Sequence, residues 1–286
     1  MKQVYNKVII IGSGKMAFCC AKIVKEESNV DIVVFSYKAQ MESGLQMLCE
    51  KNKIEYKAYN DAKLLECELI ELKGKILIIS AFNIYIFPEE LIRKRNVTII
   101  NYHPALLPKH PGRNAEAWAI FEQDKVAGIT WHKVTKKIDN GEILIQRKIP
   151  LDEGITSLKL MIIQQKVAIE AFKEIIKKLL TDTMSAYEQE KTNTKVHYAR
   201  QVPNNGILDT EWDIQKISAF LRAMDYGKFR ILGTPIVMIE KKSYTWDSYN
   251  IIAEEEENVD VDNSICIKKG QSILLLRGIH RYERRN

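Results

Sequence analysis

Ile9-Ile10-Ile11-Gly12-Ser13-Gly14-Lys15-Met16-Ala17 sets the fold class of this chain. A β-branched apolar run stops at two glycines and passes into residues 15–27, whose apolar positions recur at helical spacing. The unit reads as strand, tight turn and helix. Working outward, β-branched runs at 8–11, 31–35, 75–79 and 97–101 alternate with helical stretches at 15–27, 41–51 and 88–94. Pro88 suits the first turn of the last of these. Such alternation predicts an α/β fold with a mostly parallel sheet and right-handed crossovers. Sites on these sheets lie beyond the carboxyl ends of the strands, which singles out Asn101, Tyr102 and His103.

The sheet is therefore expected to be Rossmann-like, and Gly12-x-Gly14-x-x-Ala17 invites a nicotinamide-dinucleotide reading. That site needs a carboxylate about 20 residues further on, at the end of the second strand, for the ribose hydroxyls. Here the strand closes with Val34-Phe35-Ser36-Tyr37, and no acid is present. A dinucleotide-dependent oxidoreductase is disfavoured on that ground. The glycines still leave backbone amides open at a helix N-terminus, where an anion is favoured. Lys15 is placed to pair with a phosphate there, against the plainer reading of a tight turn and a solvated lysine.

Beyond residue 101 the pattern changes. Residues 115–123 read as a short helix and 128–134 and 142–151 as strands, joined around Asp139-Asn140-Gly141. The Asn-Gly pair readily supplies positive φ. Thr156 looks like the N-cap of a long amphipathic helix over 157–180. Residues 181–194 are polar and lack a strong period, as a linker would. From Pro203 the composition resets: a turn at Asn204-Asn205-Gly206, a helix at 213–224, and strands at 234–240, 244–252, 264–268 and 272–276. One helix among short strands fits a small OB-like barrel. The expected organisation is a catalytic domain at 1–182, a linker at 183–202 and an OB-like domain at 203–286, with residues 254–257 in an acidic loop.

Composition excludes several classes. At 286 residues, 46% hydrophobic and 28% charged, the chain suits a soluble globular protein, and no apolar run is long enough for a bilayer. The first strand follows the start so closely that no signal peptide is expected, and the five cysteines show no metal-ligand spacing. Cys19 and Cys20 read as small core residues. A cytoplasmic protein with no membrane partner and no metal is expected. The net charge of +6 is mild, and bases interleave with acids, as in Lys173-Glu174. That argues against a nucleic-acid partner while suiting a small anionic substrate.

The chemistry is concentrated in Asn101-Tyr102-His103-Pro104-Ala105-Leu106-Leu107-Pro108-Lys109-His110-Pro111-Gly112-Arg113-Asn114. Gly128-Ile129-Thr130-Trp131-His132 and Ile138-Asp139-Asn140-Gly141-Glu142-Ile143 follow it. Asn101 and His103, two apart on an extended segment, point to one side. Asp139 arrives on a turn between strands. Acyl transfer to an amine needs a donor for the oxyanion, a base for the amine proton, and a carboxylate to orient and charge-tune that base. Each residue has a bland reading, as a turn cap, a satisfied histidine or turn chemistry. Their combination at these spacings outweighs it.

These motifs resemble the formyltransferases that use N10-formyltetrahydrofolate. Asn-x-His, Leu-Leu-Pro with a later glycine, Gly-(Val/Ile)-Thr and Asp-x-Gly-(Asp/Glu)-Ile are all present, and the resemblance spans roughly residues 7–180. It implies Asn101, His103 and Asp139 as catalytic residues, with the formyl oxygen held by Asn101 and His103. The base is left open between His103 and Asp139. It also implies that the pterin of the co-substrate lies under Ala81-Phe82-Asn83-Ile84-Tyr85-Ile86-Phe87. Leu106, Leu107, Pro108, Ile138 and Gly141 would flank it, reading it mostly through the backbone.

Pro111-Gly112-Arg113-Asn114-Ala115, Trp118-Ala119-Ile120 and the Gly128 segment are similar to bacterial sugar-nucleotide N-formyltransferases and to formylation domains of nonribosomal peptide synthetases. The implied acceptor is a UDP- or dTDP-linked 4-amino-4,6-dideoxyhexose used for surface glycans, with the UDP-linked amino-altrose of pseudaminic-type pathways favoured. Gly12, Ser13, Gly14 and Lys15 would meet its phosphates. Tyr102, Gly112, Arg113, Asn114, Trp131 and His132 would line the acceptor pocket. Residues 204–209, Trp212 and 222–227 are candidates for shaping that pocket or a homodimer contact. A methionyl-tRNA or aminoacyl acceptor is the alternative, although a tRNA enzyme calls for a longer basic C-terminal domain.

Overall fold

The computed structural model describes residues 3–38, 43–254 and 263–283. Met41 and Glu42 of the expected second helix, residues 255–257 of the acidic run, and Arg284 and Arg285 lie outside them. The chain forms two compact units that interleave in sequence. Met1–Gly112, Gly128–Ile149 and Ile162–Val196 make the first; Arg113–Ala127, Pro150–Met161 and His197–Asn286 make the second.

The first unit is built on a seven-stranded sheet. Its strands are β1 (Lys7–Gly12), β2 (Asp31–Tyr37), β3 (Glu55–Tyr59), β4 (Ile76–Ala81), β5 (Val97–His103), β6 (Val126–Lys133) and β7 (Ile143–Pro150), in the order β3-β2-β1-β4-β5-β6-β7. β1 to β5 are mutually parallel, and β6 runs antiparallel to β5. Val8, Ile9, Ile10 and Ile11 of β1 are wholly buried, as are Leu77, Ile78 and Ile79 of β4. Each such side chain contributes about 1.5–3 kcal/mol on burial, which is why these runs carry no alternation.

Helices α1 (Gly14–Glu27), α2 (Ser43–Lys51), α3 (Ala62–Glu71) and α4 (Glu89–Ile92) connect the parallel strands. α1 buries Met16, Ala17, Cys20, Ala21, Ile23 and Val24, one helical face, while Cys19 is half-buried. The sequence gives no sign of β3 or α3. β3 is an edge strand whose Glu55 and Lys57 are exposed, so it lacks an apolar run; its pairing with β2 and the edge contact of Tyr59 on Phe35 form it. α3 turns only Leu65 and Leu69 inward, below Asp61, which accepts a hydrogen bond from the Lys63 amide at 2.7 Å.

Helix α5 (Ala115–Phe121) belongs to the second unit, and α6 (Ser157–Leu180) starts in the second and continues into the first. Residues 181–194, which read as linker, are tied to the first unit: Tyr187 and Ile143 exchange both backbone hydrogen bonds, at 2.7 and 3.0 Å.

In the second unit, α7 (Ile214–Met224) is capped by Asp213, which accepts from the Lys216 amide at 2.7 Å. Around it lie β8 (Ile207–Leu208), β9 (Ile236–Ile239), β10 (Lys242–Thr245), β11 (Ser248–Ala253), β12 (Ser264–Lys269), β13 (Ser272–Arg277) and β14 (His280–Arg281). The expected OB-like barrel is not seen. Among the described residues the strands form two small sheets, β14-β10-β9-β8 and β11-β13-β12, with no closed barrel. The single strand expected at 244–252 breaks at Trp246-Asp247, sending β10 to one sheet and β11 to the other. The break occurs where Trp246 turns into the core beside Phe220, Val237, Leu274 and Leu276.

Candidate active site

β5 delivers Asn101 and His103 to the carboxyl edge of the sheet, and its two neighbours supply their surroundings. On the parallel side, Ser80 of β4 stands opposite Asn101. On the antiparallel side, Asn101 faces His132 and His103 faces Thr130 of β6. This register fixes an arrangement that no local stretch contains.

Asp139 comes from the β6–β7 connection. Its backbone sits in the left-handed region, φ 46°, so the positive φ expected of Asn140-Gly141 falls on the aspartate itself. Gly141 is needed for a different reason: a Cβ there would lie 1.8 Å from the carbonyl oxygen of Lys133. The carboxylate turns inward. Oδ2 accepts the Gly112 N–H at 2.7 Å and lies 3.3 Å from His103 Nδ1. Oδ1 lies 3.4 Å from His132 Nε2 and 3.5 Å from Asn101 Nδ2. The structure thus brings Asn101, His103 and Asp139 together.

The electrostatics of the pair follow from burial. His103 is only 2% exposed, and burial pulls its pKa below the usual imidazole range although Asp139 opposes this. Burial alone would raise the Asp139 pKa. The His103 and His132 imidazoles and the Gly112 amide outweigh it, holding the carboxyl well below its ordinary value. At neutral pH, Asp139 is ionised and His103 neutral. His103 Nε2 is 2.8 Å from the His110 carbonyl oxygen, so the proton of the neutral ring belongs there. Nδ1 then presents its lone pair on the Asp139 side.

Three glutamines hold the loops that carry this cluster. Gln164 Nε2 donates to the carbonyls of Pro104 and Gly128, at 2.6 and 3.0 Å. Gln146 Nε2 donates to the Leu107 carbonyl and to Thr130 Oγ1, both at 2.8 Å. Gln189 Nε2 donates to the carbonyls of Asp139 and Gly141, both at 2.8 Å. Thr130, fully buried, donates to the Ala105 carbonyl at 2.6 Å and accepts the Leu107 amide at 3.2 Å. Its hydroxyl therefore ties the Gly-Ile-Thr motif to the Leu-Leu-Pro motif.

The formyl transferase sequence profile matches residues 6–176. The chain belongs to the formyl transferase family. It is 26% identical to a GDP-perosamine N-formyltransferase from Brucella melitensis over 252 residues, covering 86% of this chain and 94% of that protein. It is 24% identical to a methionyl-tRNA formyltransferase from Ehrlichia canis, covering 94% of this chain and 90% of the other. Among solved structures, it superposes with a TM-score of 0.74 on an N-formyltransferase from Helicobacter canadensis in complex with folinic acid and dTDP-3-aminofucose. That match has 17% identity and covers 96% and 99% of the two chains. No helix among the described residues is long and apolar enough to cross a membrane.

Within this formyl transferase the remaining predicted site residues divide. Ala81 is buried, and Phe82 adopts φ 59° and is 40% exposed. Asn83 folds the segment back, accepting the Tyr85 amide at 2.8 Å. Tyr85 is a core residue, its ring edge-on to Tyr37 and Phe87, whereas Ile86 is exposed. Leu106 and Pro108 are half-buried, Leu107 is buried and Ile138 is exposed. Gly12 is a glycine because a Cβ would meet the Ala81 carbonyl oxygen at 2.0 Å, so packing on β4 accounts for it without a ligand. Ser13 donates to the Phe82 carbonyl at 2.8 Å, Gly14 takes φ 56°, and Lys15 is exposed.

Three of the residues expected at the acceptor pocket are buried. Trp131 is wholly buried, its indole N–H given to the Ala168 carbonyl at 3.0 Å. Tyr102 packs against it, only 4% exposed. His132 is 2% exposed and joins the Asn101–Asp139 network. Arg113 and Asn114 belong to the second unit, where the Arg113 amide donates to the His197 carbonyl and Asn114 starts α5 at φ 58°. Sequence reasoning missed Ser80, the three glutamines and the network position of His132. Only the last had a signal, the Thr130-x-His132 alternation, which places both residues on one face of a strand paired with β5.

Proposed function

We propose that this enzyme transfers a formyl group from N10-formyltetrahydrofolate to the amine of a nucleotide-linked amino sugar. The observation that carries the reading is the cluster of a neutral buried imidazole, an ionised carboxylate and an aligned carboxamide at the carboxyl edge of the sheet. Asn101 Nδ2 is the donor for the formyl oxygen as it gains charge. His103 Nδ1 takes the amine proton. The imidazolium so formed has an acceptor waiting at each nitrogen, the His110 carbonyl and Asp139 Oδ2. Asp139, held ionised, favours that charge and keeps the ring in place. His103 then returns a proton to the departing nitrogen of the donor, which balances the transfer.

The co-substrate fits the residues present. Phe82, Ile84 and Ile86 are 40%, 51% and 70% exposed and form an apolar rim after β4, suited to a flat heterocycle whose polar edge the backbone reads. When bound, the folate supplies only the activated formyl group. The folinic acid in the related Helicobacter canadensis structure supports this assignment.

We assign the acceptor to a 4-amino-4,6-dideoxyhexose on UDP or dTDP, with the UDP-linked amino-altrose as the narrower choice. The dTDP-3-aminofucose in that same structure and the name of the Brucella relative support a sugar nucleotide, the latter on a GDP carrier. Its phosphates are expected at Gly12-Ser13-Gly14-Lys15, and the enzyme is expected to act in the cytoplasm as a homodimer. The test is turnover by purified enzyme with formyltetrahydrofolate against a panel of UDP-, dTDP- and GDP-linked amino sugars. Formylation of initiator methionyl-tRNA with no turnover of any sugar would refute the assignment.

A further inference from the structure

We propose that Ser80 is a positioning residue that sets which end of the Asn101 carboxamide faces the reacting centre. The inference deepens the functional reading above and rests on it only for its kinetic arm. An Asn side chain offers an acceptor and a donor of nearly equal shape, and only the donor serves an oxyanion. Something must decide between the two orientations.

The geometry points to a chain of hydrogen bonds with one direction. Ser80 is 2% exposed on β4, directly beside Asn101 on β5. Its Oγ lies 3.4 Å from Asn83 Nδ2, a donor, and 2.7 Å from Asn101 Oδ1. The Ser80 hydroxyl donates to Asn101 Oδ1 and accepts from Asn83 Nδ2, which also donates to the Tyr85 carbonyl at 3.2 Å. The far end agrees. Asp139 Oδ1, an acceptor, is 3.5 Å from Asn101 Nδ2. A flipped amide would set its oxygen against that carboxylate. Ser80 therefore anchors the oxygen, and the amide nitrogen is left facing the site. Asn83 lies in the segment expected to meet the co-substrate, so this chain connects that segment to the catalytic carboxamide.

A single neutral hydrogen bond contributes about 0.5–1.5 kcal/mol net, so its loss should cost roughly 2- to 13-fold in correctly oriented amide. The experiment measures kcat and KM for the wild-type chain, Ser80→Ala, Ser80→Cys, Asn101→Ala and the Ser80→Ala/Asn101→Ala double variant. Side-chain amide 15N–1H spectra are recorded for each. Expected are a kcat about 10-fold lower for Ser80→Ala at near-unchanged KM, an intermediate value for Ser80→Cys with its weak donor, and no further loss when Ser80→Ala is added to Asn101→Ala. The Asn101 carboxamide peaks, assigned by their absence in Asn101→Ala, should move or broaden in Ser80→Ala. Additive kcat losses, or Asn101 peaks unmoved by Ser80→Ala, would overturn the proposal. Inactivity of the wild type on every amino-sugar nucleotide would instead fell the functional reading, and the spectra alone would still decide Ser80.

Discussion

Replacing Gly141 by alanine should disable the enzyme without unfolding it, and the structure sets the size of the effect. Gly141 does not lie in the left-handed region, so alanine meets no torsional objection there. The objection is steric. The new Cβ would lie 1.8 Å from the Lys133 carbonyl oxygen and 2.7 Å from its carbon. Restoring an ordinary contact near 3.4 Å requires the turn to retreat by about 1.5 Å. Neither side yields easily. Lys133 is held in β6 and accepts from His132 Nδ1, and the Gly141 carbonyl is clamped by Gln189. Asp139, two residues earlier, would move with the turn, stretching its 2.7 Å bond to the Gly112 amide and its 3.3 Å approach to His103. Misplacement by about 1 Å costs roughly 10²-fold in turnover, and overpacking costs about 1–3 kcal/mol in stability. Single-turnover formyl transfer at saturating substrates and thermal melts separate the two. Gly14→Ala is the contrast: a Cβ there meets nothing within 4 Å, and the strain at φ 56° should cost only about 1–2 kcal/mol in stability. Turnover within threefold of wild type for Gly141→Ala would refute the claim that this close approach places Asp139.

Gln189→Ala should release the Asp139 turn from residues 181–194, lowering kcat about 10-fold with a smaller change in KM; equal loss in both would mean that the strap supports binding and not the carboxylate. Asp139→Asn should lower kcat by about 10²–10⁴. It should also move the acid limb of the kcat profile to lower pH, because the aspartate raises the pKa of His103 and its loss removes the main opposition to burial. Stability should decline with acid in two windows, since both folded pKa values lie below the unfolded ones. From about pH 6.5 downward the unfolded chain protonates His103 before the folded one does, and below about pH 4 it does the same with Asp139. Melts at several pH values should show His103→Asn losing the first window. Calorimetric titration should detect no NAD or NADP binding, because β2 ends in Ser36 and Tyr37 with no carboxylate. Micromolar affinity for either would refute this.

The sequence by itself determined the parallel strands β1, β2, β4 and β5, the long α6 helix and the identity of the central trio. Unbroken β-branched runs have one stable solution, burial on both faces between helices, and that solution puts Asn101 and His103 at a carboxyl edge. Period and composition carry that information locally. They carry little about an edge strand such as β3, whose residues are half solvent-facing, or about where 244–252 divides between two sheets. The remainder was decided by tertiary structure because it depends on register. Ser80 and His132 are ordinary strand residues until pairing sets them on either side of Asn101. Gln146, Gln164 and Gln189 look like solvated polar positions until each finds two acceptors far away in sequence. Trp131 and Tyr102 look like pocket aromatics until packing encloses them. A hydrogen-bond donor's role is fixed by its partner, and for these residues the partner is chosen only when the strands align.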